Sequence, residues 1–251
     1  MVVYGQYAAM KESPFEILGT PRNGGFLIIG DHASNDVPDD IVFGIDRPVL
    51  NTHIAWDIGV APVARLITQH TGFAAYLGRY SRLVVDLNRD ELDPAVMPLS
   101  SDGIVIPGNN IAPDNRKARL LRFHRPYHDY LKDLLSEHRP SLILSLHSFT
   151  PALESKPNEF RPWEVGVLYN EQEAASKLAI PFLENAGYIV GDQLPYSGKQ
   201  LNATMNRHAE ANDIPYIGIE MRQDLACTPS GQARFARILS DMCHFVSERL
   251  G

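Results

Sequence analysis

The chain has 251 residues, of which 44% are hydrophobic and 21% are charged, and its formal net charge is -7. A chain of this length can bury one sizeable core without disulfide bonds. The acidic balance gives no electrostatic support for binding nucleic acid, so we expect no nucleic-acid partner. The only two cysteines, Cys227 and Cys243, are too few for a disulfide scaffold or a cysteine zinc site, and we expect reduced structural thiols.

Targeting and membrane-spanning signals are absent from the sequence. Residues 1–16 contain no basic region followed by an apolar stretch, which a secretory signal would have. No apolar run approaches the ~20 residues that a bilayer-spanning helix needs. We therefore expect a cytoplasmic protein with no membrane partner, while the oligomeric state stays open.

Short apolar runs alternate with amphipathic helical patterns along the chain, and no repeat or long linker divides them. In chain order, the patterns predict strand 25–30, helix 55–69, strands 74–77 and 83–87, helix 113–137, strands 141–146 and 165–169, helix 171–186, strand 216–221 and helix 228–250. This alternation is typical of a mostly parallel sheet. The sequence thus predicts an α/β fold with one domain over residues 1–251, in which a mixed, mostly parallel sheet carries helices on both faces in three α/β/α layers.

Polar residues follow several of the predicted strands at the point where each strand ends. His32 follows the first strand, His147 follows the fourth, and Glu220 lies near the end of the sixth. The segment 82–89 adds two arginines and an asparagine. Because ligands bind outside the carboxyl ends of the strands in such folds, we expect these groups to meet at one edge of the sheet.

The residue types at this edge suit metal-assisted hydrolysis. Two neutral imidazoles and a carboxylate can bind Zn²⁺ and leave a fourth position open for water, whose pKa the metal lowers to about 7. Glu220 is placed to move a proton from the water to the leaving nitrogen. Arginines at the same edge can bind a substrate carboxylate through two hydrogen bonds.

Each of these residues also has a purely structural interpretation. A single histidine after a strand is usually a capping or core residue, and Glu220 could simply pair with Arg82 or Arg222. Asp57 lies near a predicted helix start, where it could complement the helix dipole. His124 and His128 have metal-competent spacing, but no glutamate lies between them as in His-Glu-x-x-His, which favours core or supporting roles. Serine-hydrolase, P-loop and dinucleotide motifs are absent.

Five segments taken together resemble the N-formylglutamate amidohydrolase family. They are DHASNDVP (31–38), WDIG (56–59), SRLVVDLNR (81–89), LHSFTP (146–151) and PYIGIEMR (215–222). The segment at 81–89 is the most specific, and the ordered set is much stronger than any single piece. The resemblance implies a hydrolase that cleaves the amide of a small acidic N-acyl amino acid, such as N-formylglutamate to formate and glutamate.

The same segments are more distantly similar to the zinc carboxypeptidase and aspartoacylase superfamily, which implies its phosphorylase/hydrolase-like fold. This similarity implies that His32 and His147 hold a divalent metal, which we expect to be zinc, and that Glu220 is the catalytic base. The sequence departs from the superfamily at Asn35, where a glutamate ligand is expected. An amide is a poorer zinc ligand than a carboxylate, so we favour Asp57 as the third ligand, with Asn35 as the alternative.

The resemblance also implies which residues bind the carboxylates of a small-molecule acidic substrate. These residues are Arg82, Asn88, Arg89 and Arg222, with Arg79, Arg207 and His208 as weaker candidates. The departure at Asn35 leaves two alternatives open. One is a non-catalytic protein that keeps the anion pocket on the same fold without the metal, and the other is a related deacylase or amidase with a different substrate.

Overall fold

A computed structural model describes residues 13–250 of the chain, and a seven-stranded sheet forms its centre. The strands are β1 (Phe15–Leu18), β2 (Phe26–Gly30), β3 (Ala74–Gly78), β6 (Leu142–Phe149), β7 (Val165–Leu168), β8 (Val190–Asp192) and β9 (Tyr216–Arg222), and a separate hairpin consists of β4 (Ser100–Ser101) and β5 (Ile104–Val105). The order across the sheet is β1-β3-β2-β6-β9-β7-β8. Neighbours are parallel except that β1 runs antiparallel to β3 and β7 antiparallel to β9.

Helices connect most of these strands. They are α1 (Val60–Thr71), α2 (Pro113–Arg119), α3 (Arg125–Glu137), α4 (Ala174–Asn185), α5 (Ala203–His208), α6 (Gln223–Ala226) and α7 (Pro229–Leu250). A π-helical turn (Leu120–His124) joins α2 to α3, and short 3₁₀ turns lie at Arg47–Asn51, Pro94–Val96, Pro107–Asn109 and Glu210–Asn212. Within residues 13–250, no helix combines the length and the apolar character required to cross a bilayer.

Alternate side chains of the sheet enter two separate cores, because successive residues of a strand point to opposite faces. On one face, Ile29, Tyr76 and Tyr216 pack with α3 and with the long loop after β3. On the other face, Ile28 and Ile217 pack beneath α1, α4 and α7. All eight residues of β6 are buried, as expected for a central strand covered on both sides. The predicted α/β fold with a mostly parallel sheet and helices on both faces is thus confirmed.

The predicted strand at 83–87 is wrong, because this segment is a buried turn and loop. The Ser81 hydroxyl accepts a hydrogen bond from the Leu83 amide at 3.1 Å, and the Ser81 carbonyl accepts one from the Val84 amide at 2.9 Å. These bonds close a turn where the apolar pattern indicated a strand. Leu83 and Val84 are nevertheless fully buried. The apolar pattern therefore predicted the burial of this segment correctly but its backbone conformation incorrectly.

The predicted helix at 55–69 begins later than expected, at Val60. Gly59 precedes it with a φ of 95°, in the left-handed region that favours glycine. A side chain at this position would also meet Ala226 at 2.6 Å. The preceding residues, including Asp57, therefore stay outside the helix and cross the carboxyl edge of the sheet.

Candidate active site

Two histidines and an aspartate converge at the carboxyl ends of β2 and β6. His32 follows β2, His147 lies in β6, and Asp57 lies in the loop before α1. All three are buried, and their ligand atoms lie within 4.8 Å of one another. Asp57 Oδ2 lies 2.9 Å from His147 Nδ1 and 3.4 Å from His32 Nδ1. The Asp57 amide donates to the His32 carbonyl at 2.9 Å, which ties the loop to the strand end.

The orientation of the two rings fits a metal-ligating set. Both rings turn Nδ1 toward Asp57, and His32 Nδ1 is buried without a hydrogen-bond partner in the described part of the chain. His32 Nε2 lies 2.7 Å from Asp86 Oδ1, which places a carboxylate behind the ring. Two imidazoles and one carboxylate, with a carboxylate orienting one ring from behind, are a donor set that Zn²⁺ uses in catalytic sites.

Asn35 does not join this group. Its amide nitrogen donates to the Leu50 carbonyl at 2.9 Å and to Asn51 Oδ1 at 3.0 Å, so the side chain braces a neighbouring loop. Of the two third ligands considered from the sequence, the structure therefore brings Asp57 to the histidines and keeps Asn35 in a different set of contacts.

Neighbouring carboxylates determine the direction in which the pKa values of the two site histidines shift. Burial and the nearby Arg82 guanidinium favour a neutral His32 ring, but the carboxylates of Asp86 and Asp57 outweigh them and raise the pKa of His32 to about 9. Although burial opposes it, the hydrogen bond and charge of Asp57 also raise the pKa of His147. Arg82 lies 2.7 Å from Asp86 Oδ2 and 3.4 Å from Asp57 Oδ1, so it offsets part of the negative charge.

Glu220 lies beside His147 on the neighbouring strand. The parallel pairing of β6 and β9 places the two residues in register. The Glu220 side chain is buried, and its Oε2 has no hydrogen-bond partner among the residues that the structure describes. Burial raises the pKa of the Glu220 carboxyl to about 7, while the charge of His147 opposes the shift and that of Asp57 adds to it. A carboxyl with such a pKa can both accept and return a proton near neutral pH.

A cavity of about 460 Å³ opens over these groups. Besides the three converging residues and Glu220, its wall includes Arg82, Asn88 and Arg89. Asn88 Oδ1 accepts a hydrogen bond from the Thr204 amide at 3.0 Å, and within residues 13–250 the Arg89 guanidinium makes only a loose 3.6 Å ion pair with Asp93. The cavity thus joins the buried carboxylates and histidines to a cationic wall.

The guanidinium of Arg222 lies outside this wall. It donates to Asp224 Oδ1 at 2.8 Å and to the Pro162 carbonyl at 3.1 Å. Arg222 is therefore not brought together with the other predicted substrate-binding residues. The weaker candidates do not line the cavity either; they are Arg79, Arg207 and His208.

A second histidine cluster supports the loop that carries Asn88 and Arg89. His128 Nε2 donates to the Leu87 carbonyl at 3.0 Å, and His124 Nε2 donates to the Arg89 carbonyl at 2.9 Å. His208 Nε2 lies 2.9 Å from His128 Nδ1, which accepts its proton. We call His124, His128 and His208 the histidine brace. The supporting role expected for His124 and His128 fits these contacts.

The outer wall of the cavity was not anticipated from the sequence. Asp102, in the turn between β4 and β5, accepts hydrogen bonds from the amides of Glu154 at 2.8 Å and Ser155 at 2.9 Å. Its Oδ2 also lies 3.0 Å from His53 Nε2. These contacts join three loops that are distant in sequence, so no local pattern could have indicated them.

Most of the chain matches a known protein family. A family model described as N-formylglutamate amidohydrolase matches residues 24–227. The chain belongs to the N-formylglutamate amidohydrolase family. Membership confirms the resemblance inferred from the five segments and makes the chain an amidohydrolase, which acts on amide bonds. The match spans every cavity-lining residue discussed above.

Solved structures support the same fold. A gene product of Agrobacterium tumefaciens is 28% identical, with a TM-score of 0.88 over 95% of this chain and 96% of that one. The N-formylglutamate amidohydrolase of Ralstonia eutropha is 17% identical, with a TM-score of 0.71 over 94% of this chain and 97% of that one. At that identity the likeness concerns the fold alone. No curated protein sequence matches the chain significantly.

Proposed function

We propose that this protein is a zinc-dependent amidohydrolase of small acidic N-acyl amino acids, with the cleavage of N-formylglutamate to formate and glutamate as its reaction. One observation carries the proposal. The Nδ1 atoms of His32 and His147 and the carboxylate of Asp57 converge in a buried group at the floor of a cavity. These three residues would hold the metal, and Glu220 stands beside them.

Proton transfer is the task that we assign to Glu220. A divalent cation on the three ligands would act as a Lewis acid that acidifies water and polarises the amide carbonyl. Glu220 takes one proton from the attacking water and returns it to the amide nitrogen as the carbon–nitrogen bond breaks. The second proton of the water, which stays on the new carboxylic acid, passes to the amine, so the products are formate and glutamate with a protonated amino group, and atoms and charge balance. Burial of Glu220 keeps competing solvent away from the carboxyl.

Substrate carboxylates are the ligands that we assign to Arg82, Asn88 and Arg89. Arg82 is already paired with Asp86 and Asp57, whereas among the described residues Arg89 has only its loose contact with Asp93. Arg89 is therefore the group most available for a new ion pair with a carboxylate. Arg222 is left out of this assignment because its guanidinium is engaged outside the cavity.

The direct test is metal removal and return. Protein stripped with a chelator should lose hydrolysis of N-formylglutamate and regain it with Zn²⁺ in a ratio of about one metal per chain, as expected for a three-ligand catalytic site. A panel of formyl, acetyl and larger acyl derivatives of acidic and neutral amino acids defines the substrate. Full activity in chelated protein, or no metal uptake, would contradict the metal-dependent assignment.

A second test separates the enzyme from a non-catalytic anion-binding protein. Glu220→Gln should lower kcat by about 10²–10⁴-fold while leaving KM similar, since it removes proton transfer and keeps the side-chain shape. Glu159→Gln, at an exposed ion pair with Lys156, is the control and should retain activity. Binding of N-formylglutamate without turnover in the zinc-loaded wild type would favour the non-catalytic alternative.

A further inference from the structure

Asp31 is a buried carboxylate to which the proposed reaction gives no task. It follows β2 directly, next to His32, and its side chain is inaccessible to solvent. Its Oδ1 accepts a hydrogen bond from the Tyr127 hydroxyl at 2.7 Å. Its Oδ2 has no hydrogen-bond partner within residues 13–250 and lies 3.6 Å from His147 Nε2, which also has none there. Two buried polar atoms without hydrogen bonds therefore face each other.

The chemistry of these two atoms is complementary. Buried polar atoms are rarely left without a partner because the loss of hydration is costly. A carboxylate oxygen only accepts, so the contact is favourable when His147 carries its proton on Nε2. A histidine that binds a metal through Nδ1 is neutral and has its single proton on Nε2. The arrangement around Asp31 thus favours the tautomer in which His147 Nδ1 is free to bind a metal.

The other histidine of the site shows the same pattern. His32 turns Nδ1 toward Asp57 and has the Asp86 carboxylate at Nε2. The supports differ, because Asp86 is also paired with Arg82, whereas the hydroxyl of Tyr127 holds Asp31. Tyr127 belongs to α3. Each ring is therefore supported at Nε2 by a separate carboxylate.

We propose that Asp31, oriented by Tyr127, is a positioning residue that holds His147 with its proton on Nε2 and its Nδ1 facing Asp57, and so strengthens binding of a divalent metal. This proposal rests on the metal site of the proposed function. At 3.6 Å the two atoms are beyond ordinary hydrogen-bond distance, so at this separation the preference for one tautomer comes from the charge of the carboxylate.

Zinc affinity of the metal-free protein tests the proposal without any activity measurement. Asp31→Asn should weaken zinc binding by about 10–100-fold, the usual effect of removing the carboxylate behind a metal-binding histidine. The amide introduced there can turn its oxygen to Tyr127, which leaves an NH₂ group facing His147 Nε2 and favours the wrong tautomer. Competition with a chromophoric chelator measures the dissociation constant.

Two tyrosines provide a matched pair of variants. Tyr127→Phe removes the hydrogen bond to Asp31 and should weaken zinc binding by up to about 10-fold. Tyr76→Phe removes a hydrogen bond from the same cluster, the 2.8 Å bond that its hydroxyl donates to the Tyr127 carbonyl, and should leave zinc affinity within about 2-fold. A general loosening of this core would affect both variants equally, which would overturn the specific role of Asp31.

The outcomes also separate this proposal from the proposed function. Wild-type zinc affinity in Asp31→Asn, with a normal urea midpoint, would overturn the role of Asp31 and leave the metal site standing. Failure of the wild type itself to bind zinc would overturn both. If Asp31→Asn does not fold, the comparison of Tyr127→Phe with Tyr76→Phe decides, and equal affinities in that pair would overturn the proposal.

Discussion

Two clusters of buried histidines lie on either side of the loop at residues 86–89, and their electrostatics are opposite. In the candidate metal site, carboxylates raise the pKa of His32 to about 9 and also raise that of His147. In the histidine brace, burial, helped by the charge of Arg207, lowers the pKa of His208 to about 3. Burial likewise lowers the pKa of His128 well below its usual value.

The difference comes from the partners of the rings and not from their burial. Asp57 and Asp86 surround the site histidines, whereas His128 donates to the backbone carbonyl of Leu87 and accepts from a second ring. A neutral imidazole suits a carbonyl and another imidazole, while a carboxylate favours the cation until a metal replaces the proton. The same residue type therefore serves as a rigid support on one side, and we propose that it serves as a metal ligand on the other.

Replacing one histidine of each cluster by glutamine should give the largest difference between the two roles. His147→Gln should lower zinc affinity by more than about 100-fold, beyond the effect of losing an outer carboxylate, because it removes a ligand. His128→Gln should keep zinc affinity within a few-fold and instead lower the free energy of unfolding by about 1–3 kcal/mol, the cost of unpaired buried polar groups. Zinc titration and urea unfolding of both variants measure the two effects. Equal losses of zinc affinity would contradict the division of roles.

The loop between the clusters provides the next test, because the brace holds the backbone that carries Arg89. Arg89→Met should raise KM for acidic substrates by about 10–100-fold, the equivalent of one charge-assisted hydrogen-bond pair of roughly 1.5–3 kcal/mol. KM for neutral N-acyl amino acids should change much less. Arg222→Met is the matched control and should leave both values within about 2-fold, because its guanidinium contacts Asp224 and Pro162 outside the cavity. A large rise in KM in Arg222→Met, with no rise in Arg89→Met, would mean that Arg222 and not Arg89 binds the substrate carboxylate.

The direction of the Arg222 side chain could not be predicted from the sequence. The segment 215–222 placed Glu220 near the end of a strand, as the structure has it in β9. The direction of a side chain beyond a strand end, however, depends on which loops lie nearby. The carbonyl of Pro162 and the carboxylate of Asp224 are contacts that no spacing rule indicates. By contrast, the strand-end argument made on the sequence predicted that His147 and Glu220 lie at the same sheet edge, and the structure adds that their strands are parallel neighbours with these two residues in register.

In the fold as well, local sequence patterns predicted some elements, while others depend on contacts with distant parts of the chain. The continuous apolar run of β6 and the amphipathic pattern of α7 both predicted their elements, although β6 continues to Phe149 and so includes His147, which was expected to follow the strand. The predicted strand at 83–87 failed because a hydroxyl of Ser81 closes a turn in an equally apolar segment. The short edge strands β1 and β8 carry too few residues for a periodic signal, and they form because a neighbouring strand is present to pair with them.

The smallest predicted effect concerns the pH dependence of the brace. The unfolded chain takes up a proton on His208 near pH 6.5, whereas in the folded protein the pKa is about 3. Between these values the unfolded state binds more protons, so this residue lowers stability as the pH falls, by up to about 1.4 kcal/mol per pH unit. His208→Asn removes this contribution while keeping a side chain that can donate to His128.

Urea unfolding of metal-free wild type and His208→Asn at several values between about pH 7 and pH 4.5 gives the comparison. We expect the variant to be less stable at neutral pH because the shorter amide side chain donates to His128 with poorer geometry than the ring does at 2.9 Å. The gap should narrow steadily below about pH 6.5, since only the wild type must keep this ring neutral. A gap that stays constant over the whole range would mean that His208 gains its proton at the same pH in the folded and unfolded states, which would contradict the neutral, low-pKa brace.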